Sequence, residues 1–282
     1  MRDITVACSP DADDLFMFRA LLEGRIDTGE YRFVIESRPT DALNRLAGSA
    51  EAPDVLALST AAYPSVADVY QLLPHGGSMG EGYGPVVIAA RPGRLEELVG
   101  ARVAVPGLTT SAWAVLRMIQ PGLEPVVTPI VPYTRIFEAL RNGEVDAGLV
   151  IHEGRLTYED EGFVKWVDIG EWWESQTGGL PLPLGANAIR RGLGEDVVAE
   201  VSTLLRASIS DALEHREEAV AWLLAKGGAL RTPERIRRYL DMYANERTLD
   251  YGKAGRAGIA AFFERAVRSG QLDALPPLDY AP

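Results

Sequence analysis

The stretch of residues 148–155 constrains the fold of this chain more than any other. Its first four residues are small or apolar and do not alternate with polar ones. This pattern predicts a strand in the interior of a sheet whose two faces are both covered. His152, Glu153 and Arg155 then mark the C-terminal end of the strand. Because ligands bind at this end in open α/β sheets, His152 is a candidate functional residue.

Two segments of the chain repeat the same order of elements. Residues 133–141 have a helix-like pattern that an Asn-Gly pair ends, and the strand leading to His152 follows. Residues 40–47 are also helix-like and end at a glycine, and an apolar strand then leads to Ser59. The repetition predicts two similar lobes, with Ser59 and His152 facing each other across a cleft.

Length and composition are typical of a globular protein with two domains. The chain has 282 residues, of which 47% are hydrophobic and 24% are charged. Its single cysteine, Cys8, excludes an internal disulfide bond. One cysteine and three histidines also argue against a zinc cluster, so we expect no metal site.

The formal charge of −12 restricts the partners of the protein. Nucleic acid requires clustered Lys and Arg, so we expect no nucleic-acid partner. A small anionic substrate would be repelled at long range, and its site must therefore be built locally from helix N-termini, hydroxyls and a few arginines. The oligomeric state is left open between a monomer and a homodimer.

The sequence predicts neither a membrane anchor nor export. No apolar run approaches the ~20 residues that span a bilayer, and strand-like sequence begins near the N-terminus without a signal-peptide pattern. We therefore expect a cytoplasmic protein. A chain from which a signal peptide had been removed would have the same appearance.

An acidic cluster, Asp11, Asp13 and Asp14, precedes a helix predicted over residues 15–23. One interpretation is that one aspartate caps the helix while the others favour its positive end. The other is that these side chains contact substrate hydroxyls or a cation, although the spacing of a calcium loop is missing. We favour capping, with Asp13 as a contact to the ligand.

Three consecutive hydroxyl residues, Thr109, Thr110 and Ser111, stand at the start of another predicted helix. They follow a strand and a Pro-Gly turn. Hydroxyls and unpaired backbone N–H groups at a helix start can bind an anion. Ordinary capping accounts for one of the three, so the pattern favours a ligand site.

These elements predict an α/β fold of two lobes with the ligand cleft between them. We expect lobe one to contain residues 1–92 and 186–282, and lobe two to contain residues 93–185, with crossovers near residues 91–101 and 178–189. The C-terminal helices return to support lobe one. This is the type 2 periplasmic-binding-protein-like arrangement, which holds its ligand between the lobes.

Several segments resemble one enzyme family, the 1,4-dihydroxy-6-naphthoate synthases of the futalosine route to menaquinone. They lie in order along residues 9–185, and the blocks around His152 and in the Pro-rich crossover are the most specific. The resembling segments are SPDADDLFMF (9–18), ALSTAAY (57–63), VAVPG (103–107), GLVIHEGRLTY (148–158), DIGEWWE (168–174) and GLPLPLG (179–185).

The resemblance implies a lyase that acts without a cofactor. The implied substrate is cyclic dehypoxanthinyl futalosine, which is split into 1,4-dihydroxy-6-naphthoate and a ribose-derived fragment. The catalytic base of the family corresponds to His152. A neutral imidazole that titrates near pH 7 suits removal of a proton while charge spreads onto a ketone oxygen.

The family's substrate contacts correspond to residues on both lobes. They are Ala57, Leu58 and Ser59 on one lobe and Thr110 and Ser111 on the other. Some relatives have Lys in place of Ala57, which leaves only a backbone contact here, and some have Thr in place of Ser111.

The roles of His152 and Arg155 remain open from the sequence. A histidine at a strand end is often only a structural group. Arg155 either binds the substrate carboxylate, orients Glu153 or Glu171, or forms a surface ion pair.

The function also has alternatives, because the same fold serves non-catalytic solute-binding proteins and the related chorismate dehydratase. The His-Glu-Gly-Arg block at residues 152–155 argues against the dehydratase.

Overall fold

The computed structural model describes residues 1–129, 132 and 134–282 of the chain. Tyr133, the first residue of a predicted helix, lies outside the described part. The strands in chain order are β1 (Arg2–Cys8), β2 (Tyr31–Ser37), β3 (Val55–Ser59), β4 (Tyr70–Leu72), β5 (Met79–Gly80), β6 (Val86–Ala89), β7 (Arg102–Val105), β8 (Glu124–Val127), β9 (Ala147–Val150), β10 (Val164–Asp168), β11 (Leu182–Pro183) and β12 (Gly185–Arg190).

The helices pack on the sheets and, near the C-terminus, on one another. In chain order they are α1 (Ala12–Leu22), α2 (Thr40–Leu46), α3 (Ser111–Ile119), α4 (Thr134–Arg141), α5 (Ile169–Thr177), α6 (Glu195–Glu214), α7 (Arg216–Lys226), α8 (Pro233–Tyr243), α9 (Glu246–Leu249) and α10 (Gly252–Arg268). Short 3₁₀ helices occupy Thr60–Ser65, Leu95–Leu98, His152–Leu156 and Arg191–Leu193.

The first lobe is built on a sheet with the strand order β2-β1-β3-β12-β4. Strands β1, β2 and β3 are parallel, whereas β12 runs antiparallel to β3 and β4. Every residue of β3 is buried, as expected for a central strand that is covered by helices on both faces.

The second sheet repeats the plan of the first. Its order is β10-β6-β9-β7-β8, with β7, β8 and β9 parallel and β6 antiparallel to β9 and β10. The residues of β9 are all buried, so the strand predicted before His152 is confirmed. In each sheet one antiparallel strand, β12 in the first and β6 in the second, lies next to a crossover between the lobes. The predicted two-lobed α/β fold is thus confirmed.

The first crossover lies earlier than the sequence suggested. Strand β6 (Val86–Ala89) pairs with β9 and β10 in the second sheet, although the predicted lobe one extended to residue 92. The break at residues 91–94 is the turn that ends this strand, and the crossover near 91–101 is therefore wrong. The second crossover, near 178–189, contains β11 and β12. The exact division of the chain into domains stays a prediction.

The C-terminal helices cover the first lobe. Helix α6 packs against α1, and Met17, Val201 and Leu205 share one apolar core there. Helix α10 contributes Phe262 and Phe263 to the large core that both lobes share. In the described part of the chain, no helix combines the length and the apolar character needed to cross a membrane.

Candidate active site

A cleft lies where the carboxyl ends of β1, β3 and β9 approach one another. It is open to solvent, and both lobes contribute to its walls. The residues that line it are Ser9, Asp11, Asp13, Asp14, Thr40, Leu43, Ala57, Leu58, Ser59, Gly76, Ser78, Pro85, Thr110, Ser111, Ala112, Ile151, His152, Leu184, Gly185, Ala186, Asn187, Tyr239 and Tyr243.

The structure brings nearly all the predicted site residues to this one cleft. Ser59 and His152 follow matching strands and both line it, as the internal repetition predicted. The other predicted residues found there are Ala57, Leu58, Thr110, Ser111 and Asp13. Arg155 is the exception.

The side chain of Asn44 links Ser59 of the first lobe to Thr109 of the second. Its side-chain oxygen accepts a hydrogen bond from the Ser59 backbone N–H at 2.8 Å, and its Nδ2 donates to Ser59 Oγ at 3.1 Å. The same Nδ2 donates to Thr109 Oγ1 of the second lobe at 3.0 Å. Since Ser59 Oγ accepts here, its own hydroxyl hydrogen can donate to a ligand. Asn44 was not predicted as a site residue, although an Asn inside a helix-like segment is unfavourable there and indicates a specific partner.

The hydroxyls at the start of α3 bind protein groups. Thr110 Oγ1 donates to Gly107 O at 2.9 Å and accepts from Trp113 N at 3.3 Å, so Thr110 caps the helix. Ser111 Oγ donates to Leu184 O at 2.6 Å and accepts from Ala61 N at 3.2 Å. Both residues line the cleft, but their side chains are already paired, which leaves the backbone N–H groups of the helix start for an anion.

His152 meets an acidic partner from the opposite lobe. Its Nδ1 lies 2.7 Å from Oδ2 of Asp11, which directly precedes α1. His152 has φ of +50°, a conformation that non-glycine residues rarely adopt. Such backbone strain concentrates at functional sites. Since Asp11 engages Nδ1, the second ring nitrogen, Nε2, is the one available to a ligand.

The charges around His152 strongly change its proton affinity. Burial alone would lower its pKa, but the carboxylates of Asp11 and Asp13 outweigh burial and raise the pKa to about 10. Burial would raise the pKa of Asp11, yet its contact with His152 keeps that pKa below the usual range. In this arrangement the ring and Asp11 form a charged pair, rather than presenting the neutral imidazole expected from the sequence.

The acidic cluster does not cap α1 as expected. Asp11 occupies the N-cap position but makes no side-chain capping bond; its carboxylate accepts hydrogen bonds from Ser9 Oγ and His152 instead. Asp14 accepts from the Ser9 backbone N–H at 2.5 Å. Burial raises the pKa of Asp14, and the nearby charge of Asp13 raises it further. The preference for capping was wrong because a partner 141 residues away competes for Asp11.

Asp13 lies within a second hydrogen-bond network of the cleft. Its Oδ2 accepts from Ser78 Oγ at 3.0 Å, and its Oδ1 accepts from the Tyr239 hydroxyl at 3.2 Å. Burial raises the pKa of Asp13. Neither Ser78 nor Tyr239 was predicted as a site residue, because a glycine-rich loop and a C-terminal helix supply them.

Arg155 is committed to a structural role. Its guanidinium donates to the Asp168 carboxylate and to Gly84 O, and the Asp168 side chain is fully buried. Arg155 does not line the cleft. The suggestion that it orients Glu153 or Glu171 is therefore wrong, and a contact with the substrate carboxylate has no support in this geometry.

One group of described side chains has the spacing of a cation site. Ligand atoms of Asp11, His152 and Glu153 lie within 4.8 Å of one another. Burial and the charge of Asp11 raise the pKa of Glu153 to about 8. A divalent ion would have to displace protons from His152 and Glu153 and break the Asp11–His152 contact, so the geometry fits a charged side-chain pair at least as well.

Sequence comparison identifies the family of the chain. Residues 4–268 match the sequence model of the family described as Menaquinone biosynthesis. The chain belongs to this family. The match covers both lobes, and it confirms the resemblance inferred from the short segments between residues 9 and 185.

Two curated proteins resemble this member of the menaquinone biosynthesis family over nearly the whole chain. The 1,4-dihydroxy-6-naphtoate synthase of Thermus thermophilus is 41% identical over 271 residues, which cover 96% of each chain. The protein of the same name from Streptomyces coelicolor is 36% identical over 279 residues, covering 97% of this chain and 96% of the relative.

A more distant solved structure supports the fold. The alkanesulfonate-binding protein of Xanthomonas axonopodis pv. citri, bound to MOPS, superposes with a TM-score of 0.67 at 14% identity. The superposition covers 100% of this chain and 96% of the other. This likeness concerns the periplasmic-binding-protein-like fold alone.

Proposed function

We propose that this protein is a carbon–carbon lyase that converts cyclic dehypoxanthinyl futalosine to 1,4-dihydroxy-6-naphthoate and a ribose-derived fragment. The names of the two full-length relatives support this activity. The single structural observation that carries the proposal is the imidazole of His152, held by Asp11 inside a cleft between the lobes.

His152 acts in this proposal as the general base. Asp11 accepts the hydrogen on Nδ1 and so keeps the lone pair of Nε2 available for the substrate proton. A carboxylate in this position also stabilises the imidazolium that forms when the proton is taken. Asp11 is thus a positioning residue for the base.

The raised pKa of His152 determines how the base becomes neutral. With a pKa of about 10, deprotonating the ring at pH 7 costs about 4 kcal/mol. At neutral pH the neutral ring is therefore the minor form. The charge of Asp11 makes this neutral form a strong base in a cleft from which the substrate excludes water.

In this proposal the substrate carboxylate binds between the C-terminal end of β3 and the start of α3. Ser59 can donate its hydroxyl hydrogen, because its oxygen already accepts from Asn44. Ala57 and Leu58 contribute backbone contacts, and the N–H groups near Thr110 and Ser111 complete an anion site.

A direct assay tests the activity and the base together. Purified wild type, His152→Ala and the control His215→Ala are mixed with cyclic dehypoxanthinyl futalosine, and the naphthoate absorbance is followed. We expect release by wild type and by His215→Ala, and a loss of about 10²–10⁴-fold in His152→Ala, the usual contribution of a positioned base.

Three results would contradict the proposal in different ways. Equal release by wild type and His152→Ala would remove the base assignment. No release by any of them, with tight binding of a small metabolite, would favour a solute-binding protein. Consumption of chorismate instead would favour the dehydratase. A cytoplasmic location and a homodimer remain predictions, to be checked by cell fractionation and by light scattering.

A further inference from the structure

Asn187 is a buried residue whose side-chain amide is not fully paired. It lies in β12, is 2% exposed and lines the cleft. Its Oδ1 is buried, and no group in the described part of the chain donates a hydrogen bond to it. A buried polar atom without a partner destabilises a fold, and asparagine is disfavoured in strands. Both effects indicate that Asn187 serves a ligand rather than the stability of the protein.

Two small neighbours leave space for this amide in the wall of the cleft. Asn187 is paired with Ala57 of β3, and the Cβ atoms of such opposed residues lie about 4.5–5.5 Å apart on one face of the sheet. Gly76 is also close to the amide, because a Cβ added there would lie 2.3 Å from Nδ2. Ala57 and Gly76 both line the cleft. The amide therefore belongs to the surface of the cleft on the side of the first lobe.

The surroundings of the amide favour a hydroxyl group as its partner. Asp13 and Asp14 line the same cleft from α1, and none of the residues described as lining it is a lysine or an arginine. These carboxylates repel an anionic group, whereas a hydroxyl can donate to them. A hydroxyl also pairs with either end of an amide, because it both donates and accepts. A half-turn of the amide exchanges Oδ1 and Nδ2, so either atom can face the ligand.

We propose that Asn187 binds a hydroxyl group of the ribose-derived part of the substrate and so determines specificity for that part. This inference rests on the proposed function, in which the substrate carboxylate binds between β3 and the start of α3. The ribose-derived part then lies against β12 and the loop that contains Gly76. Its hydroxyl supplies the partner that the amide lacks in the free protein. Asn187 takes no part in the proton transfer to His152.

Kinetics of Asn187→Ala test this contact. The hydroxyl would be buried without its partner, so kcat/KM should fall about 5- to 150-fold, mainly through KM. The inhibition constant of 1,4-dihydroxy-6-naphthoate, which lacks the ribose-derived part, should stay unchanged. Equal changes in KM and in this inhibition constant would place the amide against the aromatic part and overturn the inference. Unchanged KM in an active variant would also overturn it while leaving the proposed function intact.

Urea unfolding without ligand distinguishes a binding residue from a structural one. Asn187→Ala should unfold at no lower urea concentration than wild type, because it removes an unpaired buried group. Asn245→Ala is the matched control, since its amide caps α9 and bonds to Arg247 N and Asp241 O, each at 2.9 Å, away from the cleft lining. That variant should unfold at lower urea concentration with kcat/KM little changed. An equal loss of stability in both variants would assign Asn187 a structural role and refute the inference. If wild type releases no naphthoate, the proposed function and the ribose contact fail together, whereas the unfolding comparison still decides whether the amide serves stability.

Discussion

The imidazole of His152 and the carboxylate of Asp11 lie 2.7 Å apart and come from opposite lobes. Asp11 ends the loop after β1, and His152 begins the 3₁₀ helix after β9. The pair therefore forms only where the two lobes meet. Its presence couples the basicity of the ring to the relative position of the lobes.

Replacing Asp11 should move the pH dependence of the reaction. The free enzyme needs a neutral His152, so kcat/KM of the wild type should rise with pH until it passes the His152 pKa of about 10. Asp11→Asn removes the negative charge that raises this pKa, and the rising limb should shift to lower pH. The plateau should also fall, by about 10²–10⁴-fold, because the amide no longer fixes the ring tautomer.

The pH profile of Asp11→Asn is read against that of Asp68→Asn, whose exposed side chain does not line the cleft. A rising limb that stays at the same pH in Asp11→Asn would show that the pair does not set the proton affinity of the base.

Asn44 should control substrate affinity. Asn44→Ala leaves the buried N–H of Ser59 without its acceptor and removes the bond to Thr109 of the other lobe. An unpaired buried N–H costs about 1–3 kcal/mol. Because Asn44 also bonds to the second lobe beside the cleft, we expect this cost to appear in substrate binding, as roughly a 5- to 150-fold rise in KM. KM and kcat are measured for Asn44→Ala and for Asn142→Ala, an exposed asparagine that bonds to Glu144. Equal KM values in both variants would contradict the role assigned to Asn44.

Local patterns in the sequence were enough to predict the two lobes. The apolar strand before His152 and the similar strand before Ser59 are buried and central, and both lead into the cleft. Strand β6 was assigned to the wrong side of the crossover, since its apolar composition suits either sheet. Only its pairing with β9 and β10 decides between them.

The partners of the site residues could not be predicted in the same way. Asp11 and His152 are far apart in sequence, and any of several carboxylates could have oriented the ring. Arg155 had three candidate carboxylates in the sequence analysis and binds another one, Asp168. Tyr239 reaches Asp13 from the far end of the chain. Such contacts depend on how helices pack, which periodicity does not determine.

The ion pair between Arg155 and Asp168 should contribute strongly to folding stability. Asp168→Asn keeps the capping oxygen that accepts from Gly170 N but removes the charge that faces Arg155. The guanidinium cannot lose its proton and would be left mostly buried, with 13% of the side chain exposed. Breaking such a buried pair costs about 3–5 kcal/mol.

The free energy of unfolding in urea measures this cost. Asp146→Asn is the matched control, because the Arg102–Asp146 pair has side chains 44% and 48% exposed and should lose less than about 1 kcal/mol. Similar losses in the two variants would show that burial of Asp168 does not strengthen its pair.

His75 should make the protein less stable in acid. Its ring is 1% exposed, and Nε2 lies 3.2 Å from Ser202 Oγ, whose hydrogen is donated to Pro282 O. Nε2 therefore carries the proton of the neutral ring, and the buried Nδ1 has no hydrogen-bond partner among the residues that the structure describes. Burial lowers the pKa of His75 from 6.5 to about 4. Below pH 6.5 the unfolded chain binds a proton that the folded chain does not, so stability falls between pH 6.5 and 4, by about 3 kcal/mol in total.

Urea unfolding across this pH range measures the contribution of His75. The free energy of unfolding of His75→Gln should lack this acid-dependent loss, whereas His215→Gln, at a half-buried helix end, should retain it. Parallel curves for wild type and His75→Gln would mean that another group causes the loss of stability in acid.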